Sequence, residues 1–232
     1  MMNEKKTDEK LSFITEARRA QIIDAAITTL DEIGYVNASL AQIAKRAGIS
    51  TALISYHFKD KNDLMDHTLM TLLEGATSYV LDRTKAANTA REKLHIYIAS
   101  SLAHQGTHPK HNTALLEIIF NARTSENVPY YKLGDNEEEP VILELQQILR
   151  DGQTKGEFGE FNVYVMANAI QGAIGEYLFN RNIAAKADLE SYCAELIKIF
   201  DKATSPDRFI QSYMDRSDSD KEKNRPFHPV QR

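Results

Sequence analysis

The sequence predicts an all-α chain, with a small three-helix domain at its N-terminal end and a larger helical domain after it. Three observations point there. Apolar residues recur at three- and four-residue spacing through almost every segment, the period of a helix with one buried face. Strict apolar–polar alternation, the mark of a half-buried strand, is scarce. The six prolines fall at boundaries: Pro109, Pro129 and Pro140 between helical patterns, and Pro206, Pro226 and Pro229 near the end. Proline is tolerated at such places and disruptive inside a helix.

The first helix is predicted from about Thr15 to Ile33, with Thr15 as N-cap and Glu16 suiting the positive first turn. Ile22, Ala26, Leu30 and Ile33 form its apolar face, and Gly34 ends it. A short second helix opens at Ser39, where Ser39-Leu40-Ala41-Gln42 reads as a capping box, and it stops at Gly48. A third runs from Ser50 to about His57. A fourth starts at Asp60, with Asp63 in its first turn, and extends past Tyr79. Later patterns place helices at about 90–105, 111–124, 140–155, 161–181 and 188–203, with an acidic loop from Gly134 to Glu139. The domains expected are therefore 16–76, with the two short helices at about 39–58, then 77–205, then a charged, flexible tail over 206–232.

Composition excludes several classes. The 42% hydrophobic content supports a packed core. No apolar run approaches the ~18 residues of a membrane span. The N-terminus lacks the apolar stretch of a signal peptide, so no membrane association and a cytoplasmic location are expected. The lone Cys193 can form neither an intrachain disulfide nor a cysteine cage for zinc, and its neighbours read as a buried helix face. The net charge is −5, but its distribution matters more. Residues 18–65 carry six Lys and Arg against five Asp and Glu, whereas 66–205 carry thirteen against nineteen. The N-terminal segment thus escapes the acidic balance and is permitted contact with a polyanion.

Residues 39–58 read SLAQIAKRAGISTALISYHF. Two short capped helices around a glycine turn have the form of a helix-turn-helix, and also of a plain helical hairpin within a bundle. Ala44 falls where the helices cross and Gly48 at the turn, with Ile43, Ala47, Ile49 and Ile54 as the apolar seam. A wider pattern surrounds them: Ile22-Ile23-Asp24-Ala25-Ala26, Gly34-Tyr35, Ser39, Ile43-Ala44, Ala47-Gly48-Ile49-Ser50, Ile54-Ser55-Tyr56-His57-Phe58, Lys61 and Leu64. In order and spacing, the run from Arg18 to Leu64 resembles the N-terminal domain of the tetracycline-repressor (TetR) family.

The resemblance implies a three-helix DNA-binding domain whose third helix enters the major groove. It places Thr51, Ala52 and Leu53 towards base edges, Tyr56, His57 and Lys61 towards the DNA backbone, and Ser39 and Leu40 near DNA at the start of the second helix, while Ser50 caps the helix at that same DNA-binding end and Ser55 can donate to phosphate. The family most often carries glycine at position 52 and Leu-Tyr at 54–55, where this chain has Ala52, Ile54 and Ser55. Apolar Leu53 can meet a thymine methyl group but cannot hydrogen-bond a base.

Residues 66–205 carry no motif of their own. The resemblance implies a homodimer with a pocket for a small-molecule effector. Ala169, Gly172, Ala173 and Glu176 make a small-residue stripe that, with Leu196 and Phe200 on the last helix, is expected to form a four-helix dimer interface. Tight packing within one subunit is the other reading of that stripe. Aromatic and polar residues on apolar helices are the pocket candidates: Tyr97, His104, Glu117, Phe120, Asn121, Tyr164, Gln171 and Tyr177. His104, His108 and His111 have a spacing worth testing for metal, but Gly106 and Pro109 interrupt the helix, so a solvated loop is expected and no metal or cofactor.

No nucleophile elbow, phosphate loop, zinc motif or dinucleotide fingerprint argues for an enzyme. The function expected is a ligand-responsive regulator of transcription. It should repress as a dimer on an inverted-repeat, double-stranded DNA operator and leave it when an effector binds. The alternatives are a helical interaction module or a small helical enzyme without DNA binding.

Overall fold

A computed structural model describes residues 2–132 and 140–206, so the acidic loop and the tail beyond Pro206 lie outside the described residues. All the regular elements described are helical. In chain order they are α1 (Met2–Asn37), α2 (Leu40–Ala47), α3 (Thr51–His57), α4 (Lys61–Thr84), α5 (Ala90–Thr107), α6 (Pro109–Asn121), a 3-10 turn (Tyr130–Lys132), α7 (Pro140–Thr154), α8 (Val163–Phe179), α9 (Arg181–Ala184) and α10 (Leu189–Thr204). The 3-10 turn and α9 are too short to leave a periodic signal in the sequence.

α1 starts well before Thr15, which is therefore inside the helix rather than its cap. Residues 2–14 contain no glycine or proline and are rich in Glu and Lys, so nothing interrupts helical propagation backwards. Gly34, at φ 72° and ψ 167°, breaks the helix before a last turn to Asn37. Only glycine holds that conformation cheaply.

The next three helices begin on side-chain caps. Ser39 and Gln42 form the reciprocal capping box of α2, Ser50 accepts from Leu53 N at α3, and Asp60 accepts from Asp63 N at α4. Gly48 closes α2 in the left-handed conformation, φ 67°. α6 starts on Pro109, whose missing N–H costs nothing in a first turn.

Two cores organise the chain. The first joins Ile22, Ala26 and Leu30 of α1 to Ile43, Ala44, Ile54, Phe58 and Leu64. Three buried residues of α6 and its end, Ala114, Ile118 and Ala122, belong to the same cluster. The second core holds Leu94 and Ile98 of α5, Ile148 of α7, Ile174 of α8, and Leu196 and Phe200 of α10. A Cβ on Gly152 would stand 2.0 Å from the Phe158 ring, so glycine is what lets that ring close the second core. At its edge Asp201 accepts from Arg91 Nη1 at 2.9 Å and lies 2.7 Å from His95 Nε2, tying α10 to α5. α6 thus packs into the N-terminal core although it follows residue 76 by more than thirty positions.

Candidate DNA-reading face and effector cavity

The first core fixes one side of α2 and α3 and leaves the other free. Ile43, Ala44 and Ile54 are buried, while Ser39, Ser50, Thr51, Ala52, Ser55 and Tyr56 are exposed and Leu40 and Leu53 half-buried. Tyr56 is 80% exposed, an unusual position for a tyrosine ring unless a partner covers it. The residues expected at DNA therefore share one accessible face, with two qualifications.

His57 is half-buried, its ring edge-on to Tyr56 at 5.1 Å. Burial, then Arg19 and Arg18, lowers its pKa and favours the neutral ring. Lys61 is turned inward. Its ammonium donates to Tyr35 O at 2.6 Å and lies 4.2 Å from the Tyr35 ring centre, and burial lowers its pKa. It serves here to hold α4 to the end of α1.

Two cations beside the end of α3 are ones that sequence reasoning missed. Arg19 donates to His57 O at 2.7 Å and stacks over the Phe58 ring at 4.5 Å, while Arg18, one residue earlier, donates to Gln21 Oε1. The signal available was their place one turn ahead of the apolar face of α1.

The larger half holds a cavity of about 190 Å³ between α4, α5, α6 and α8. Leu72, Ala76, Val80, Leu115, Ile174 and Leu178 belong to its apolar wall, and Thr77, Ser101, His104, Gln105, His111, Asn112 and Gln171 are its polar groups. Of the eight pocket candidates, His104 and Gln171 line it. Tyr97 stands behind, fully buried, its hydroxyl donating to Gln171 Oε1 at 3.1 Å. The missed Ser101 precedes His104 and the equally missed Gln105 by three and four positions on α5, so helical spacing joins it to both.

The other five candidates lie elsewhere. Phe120 is 54% exposed, in a surface group with Tyr131 and Phe179. Tyr164 is 61% exposed on α8. Tyr177 packs on the Tyr192 ring at 5.0 Å, between α8 and α10. Glu117 sits at the junction of the two halves: its Oε2 accepts from Tyr35 N at 2.8 Å and from Asn121 Nδ2 at 3.3 Å. Polar tips alone did not separate a cavity wall from an interhelix contact.

The three histidines do not form a solvated loop. The His104 and His108 rings stack at 4.4 Å, His111 lies 5.1 Å from His108, and Tyr79 stands edge-on to His104 at 5.2 Å. Pro109 starts α6 directly after α5, and this tight corner brings the rings together. Burial, with His108, His111 and Arg83 adding to it, lowers the His104 pKa to about 4, so the ring is neutral at pH 7. Cys193 is half-buried, and burial raises its thiol pKa.

Leu196 and Phe200, expected at a dimer interface, are buried in the second core of their own chain. α10 offers Glu195, Lys198 and Ile199 to the exterior instead. On α8, Ala169, Gly172 and Glu176 are exposed and Ala173 half-buried, in a face that also carries Val165 and Phe179. Nothing stands within 4 Å of a Cβ built on Gly172. Among the described residues no helix is long and apolar enough to cross a membrane.

Comparison with known proteins agrees with this arrangement. Residues 22–68 match the family model described as "Bacterial regulatory proteins, tetR family". The chain is 45% identical over 69 residues to the HTH-type transcriptional regulator BetI of Klebsiella pneumoniae, covering 30% of this chain and 35% of that one. The match to BetI of Escherichia coli strain K12 is 44% over 69 residues, with the same coverage. The chain thus matches about a third of the length of these curated relatives. Over the larger extent only the fold is shared. The fatty acid degradation regulator FadR of Bacillus halodurans superimposes with a TM-score of 0.68 at 22% identity, over 79% of this chain and 94% of that one. FadR of Bacillus subtilis, in complex with stearoyl-CoA, gives 0.67 at 24% identity, over 78% and 96%. Over residues 22–68 the chain is similar to the tetR family of bacterial regulatory proteins.

Proposed function

We propose that the protein is a cytoplasmic DNA-binding transcription regulator rather than an enzyme, acting as a homodimeric repressor that a small molecule releases from an inverted-repeat operator. The observation that carries this reading is the exposed face of α2 and α3, held rigidly by Ile43, Ala44 and Ile54 against α1. Rigid support and an accessible first turn are what major-groove reading needs. On this reading the head spans about 16–76 and the sensing half about 77–205.

The binding face is tested by salt dependence. Arg18→Ala is expected to weaken binding to all duplexes alike and to reduce the slope of log K against log salt by about one. Lys61→Ala should act differently. Its ammonium is committed to Tyr35, so its loss should lower the melting temperature and leave the slope almost unchanged. Anisotropy titrations from 50 to 200 mM salt distinguish the two. A Lys61→Ala slope that falls by one while stability holds assigns this lysine to phosphate instead.

One reading helix covers too few base pairs for a specific site, so a two-fold pair is required. The exposed α8 face, with Val165, Gly172 and Phe179, is the surface proposed to pair, joined by Ile199 of α10. Gly172→Leu is expected to give monomers in analytical ultracentrifugation and to weaken operator binding at least tenfold. A stable dimer with full affinity rejects this face.

Release is proposed to pass through α4 and α6. Both line the cavity, and both enter the first core. An effector shifts the equilibrium only if it binds one arrangement of the heads more tightly than the other.

A further inference from the structure

Three aromatic rings of the larger half have no place in its packing. Phe120 is in the last turn of α6, Tyr131 in the 3-10 turn and Phe179 at the end of α8, and each is more than half exposed. None of the three is among the described residues that build or border the two cores. Yet three separate elements bring them together. The Phe120 ring centre lies 6.1 Å from that of Tyr131 and 6.2 Å from that of Phe179. An uncovered apolar patch gathered in this way marks a surface that another molecule covers.

Its position and its area point to one occupant. Phe179 follows Gly172 by seven residues on the same helix, about 10 Å along the axis. A helix with its side chains is about 10–12 Å across, so one that packs on Gly172 borders the Phe179 ring. That ring also leans back along α8, since a Cβ on Gly175 would stand 3.4 Å from it. The aromatic patch is therefore continuous with the α8 face through a residue common to both. Ala169, Gly172 and Ala173 let a partner helix come close but supply little surface of their own. A stable dimer buries about 800 Å² on each partner. A covered aromatic side chain buries ~200 Å², so three that are half exposed leave on the order of 300 Å² to be covered. That is roughly a third of the area such a dimer needs.

Given the homodimer proposed above, we infer that Phe120, Tyr131 and Phe179 are covered by the second copy of this chain, in a contact that extends the α8 face onto α6. Phe120 shares α6 with Ala114 and Ile118, which lie in the first core. The contact ties the helix that walls each head directly to the other subunit, so that pairing the subunits also steadies the heads.

Sedimentation equilibrium of the full-length protein gives the dimer dissociation constant. Phe120→Ser and Tyr131→Ser are each expected to raise it at least about tenfold, because a two-fold interface loses the ring twice. Tyr131→Ser decides the matter if Phe120→Ser fails to fold, as circular dichroism will show. Phe13→Ser is the control. It removes a ring that is 74% exposed on α1, away from this patch, and should leave the constant within about twofold. Dimers mixed from isotope-labelled and unlabelled subunits should show intersubunit NOEs to the Phe120 and Tyr131 rings. Monomers from Gly172→Leu, with an unchanged constant in both ring variants, overturn the inference and leave the dimer reading intact. Rings that meet only their own subunit, residues 133–139 for example, overturn it likewise. An unaltered protein that stays monomeric overturns both.

Discussion

An Ala44→Leu variant is expected to lose at least about 100-fold in operator affinity while its second core stays folded. Ala44 is 2% exposed and lies between α1 and the α2–α3 turn. Its carbonyl also accepts from Ile49 N at 3.0 Å, so the crossing point and the turn share one residue. The extra methylenes of leucine have no space there. Overpacking of this kind costs ~1–3 kcal/mol or displaces the backbone. Either outcome moves α3, whose seven residues are held mainly through buried Ile54 and its Ser50 cap. Chemical unfolding should show an early transition for the head and an unaltered later one. Operator titrations with DNA selected from a random pool give the affinity. Unchanged binding by a folded variant means that the helices do not cross at Ala44.

That residue was readable in advance because its constraint is local. The capping box at Ser39–Gln42, the turn at Gly48 and the cap at Ser50 are each written within four residues, and the structure contains all three. Lys61 was not readable in the same way. Its partner, Tyr35 O, lies twenty-six positions away, and nothing near Lys61 shows that its charge faces inward. Leu196 and Phe200 present the same problem at the level of a helix. An apolar stripe says that one face is buried, and leaves open whether the cover is another subunit or the chain's own α5. The start of α1 differs from the sequence expectation for the opposite reason: Thr15 has the chemistry of a cap, but no breaker precedes it and the helix runs through it.

The second large effect is expected at Glu117. Its carboxylate is the acceptor for Tyr35 N, just past the break at Gly34, and it extends from the helix that lines the cavity. Glu117→Leu leaves that N–H half-buried without its acceptor, at a cost of ~1–3 kcal/mol. It also cuts the polar link between α6 and the head. With a small molecule that binds in the cavity as probe, the unaltered protein should show a change in operator affinity. Couplings of this type are typically fivefold to ~150-fold. In Glu117→Leu that change should fall towards one, with affinity for the probe retained. Glu117→Gln, which keeps an acceptor at the same reach, should preserve most of it. Full coupling in a stable Glu117→Leu protein places the transmission in α4 alone.

The sharing of α6 between the two halves limits how this protein can be recombined. A head excised at residue 76 and fused to a foreign sensor would lack Ala114, Ile118 and Ala122, and with them one wall of its own core. The transplantable unit is discontinuous: the first four helices together with a sixth that must be supplied in register. Exchange between relatives should therefore succeed most readily when the graft preserves the α6 surface facing α1, including Leu115, which lines the cavity as well. The two surfaces of α6 adjoin along the helix, so what is changed for a new guest borders directly on what must be kept for the mate.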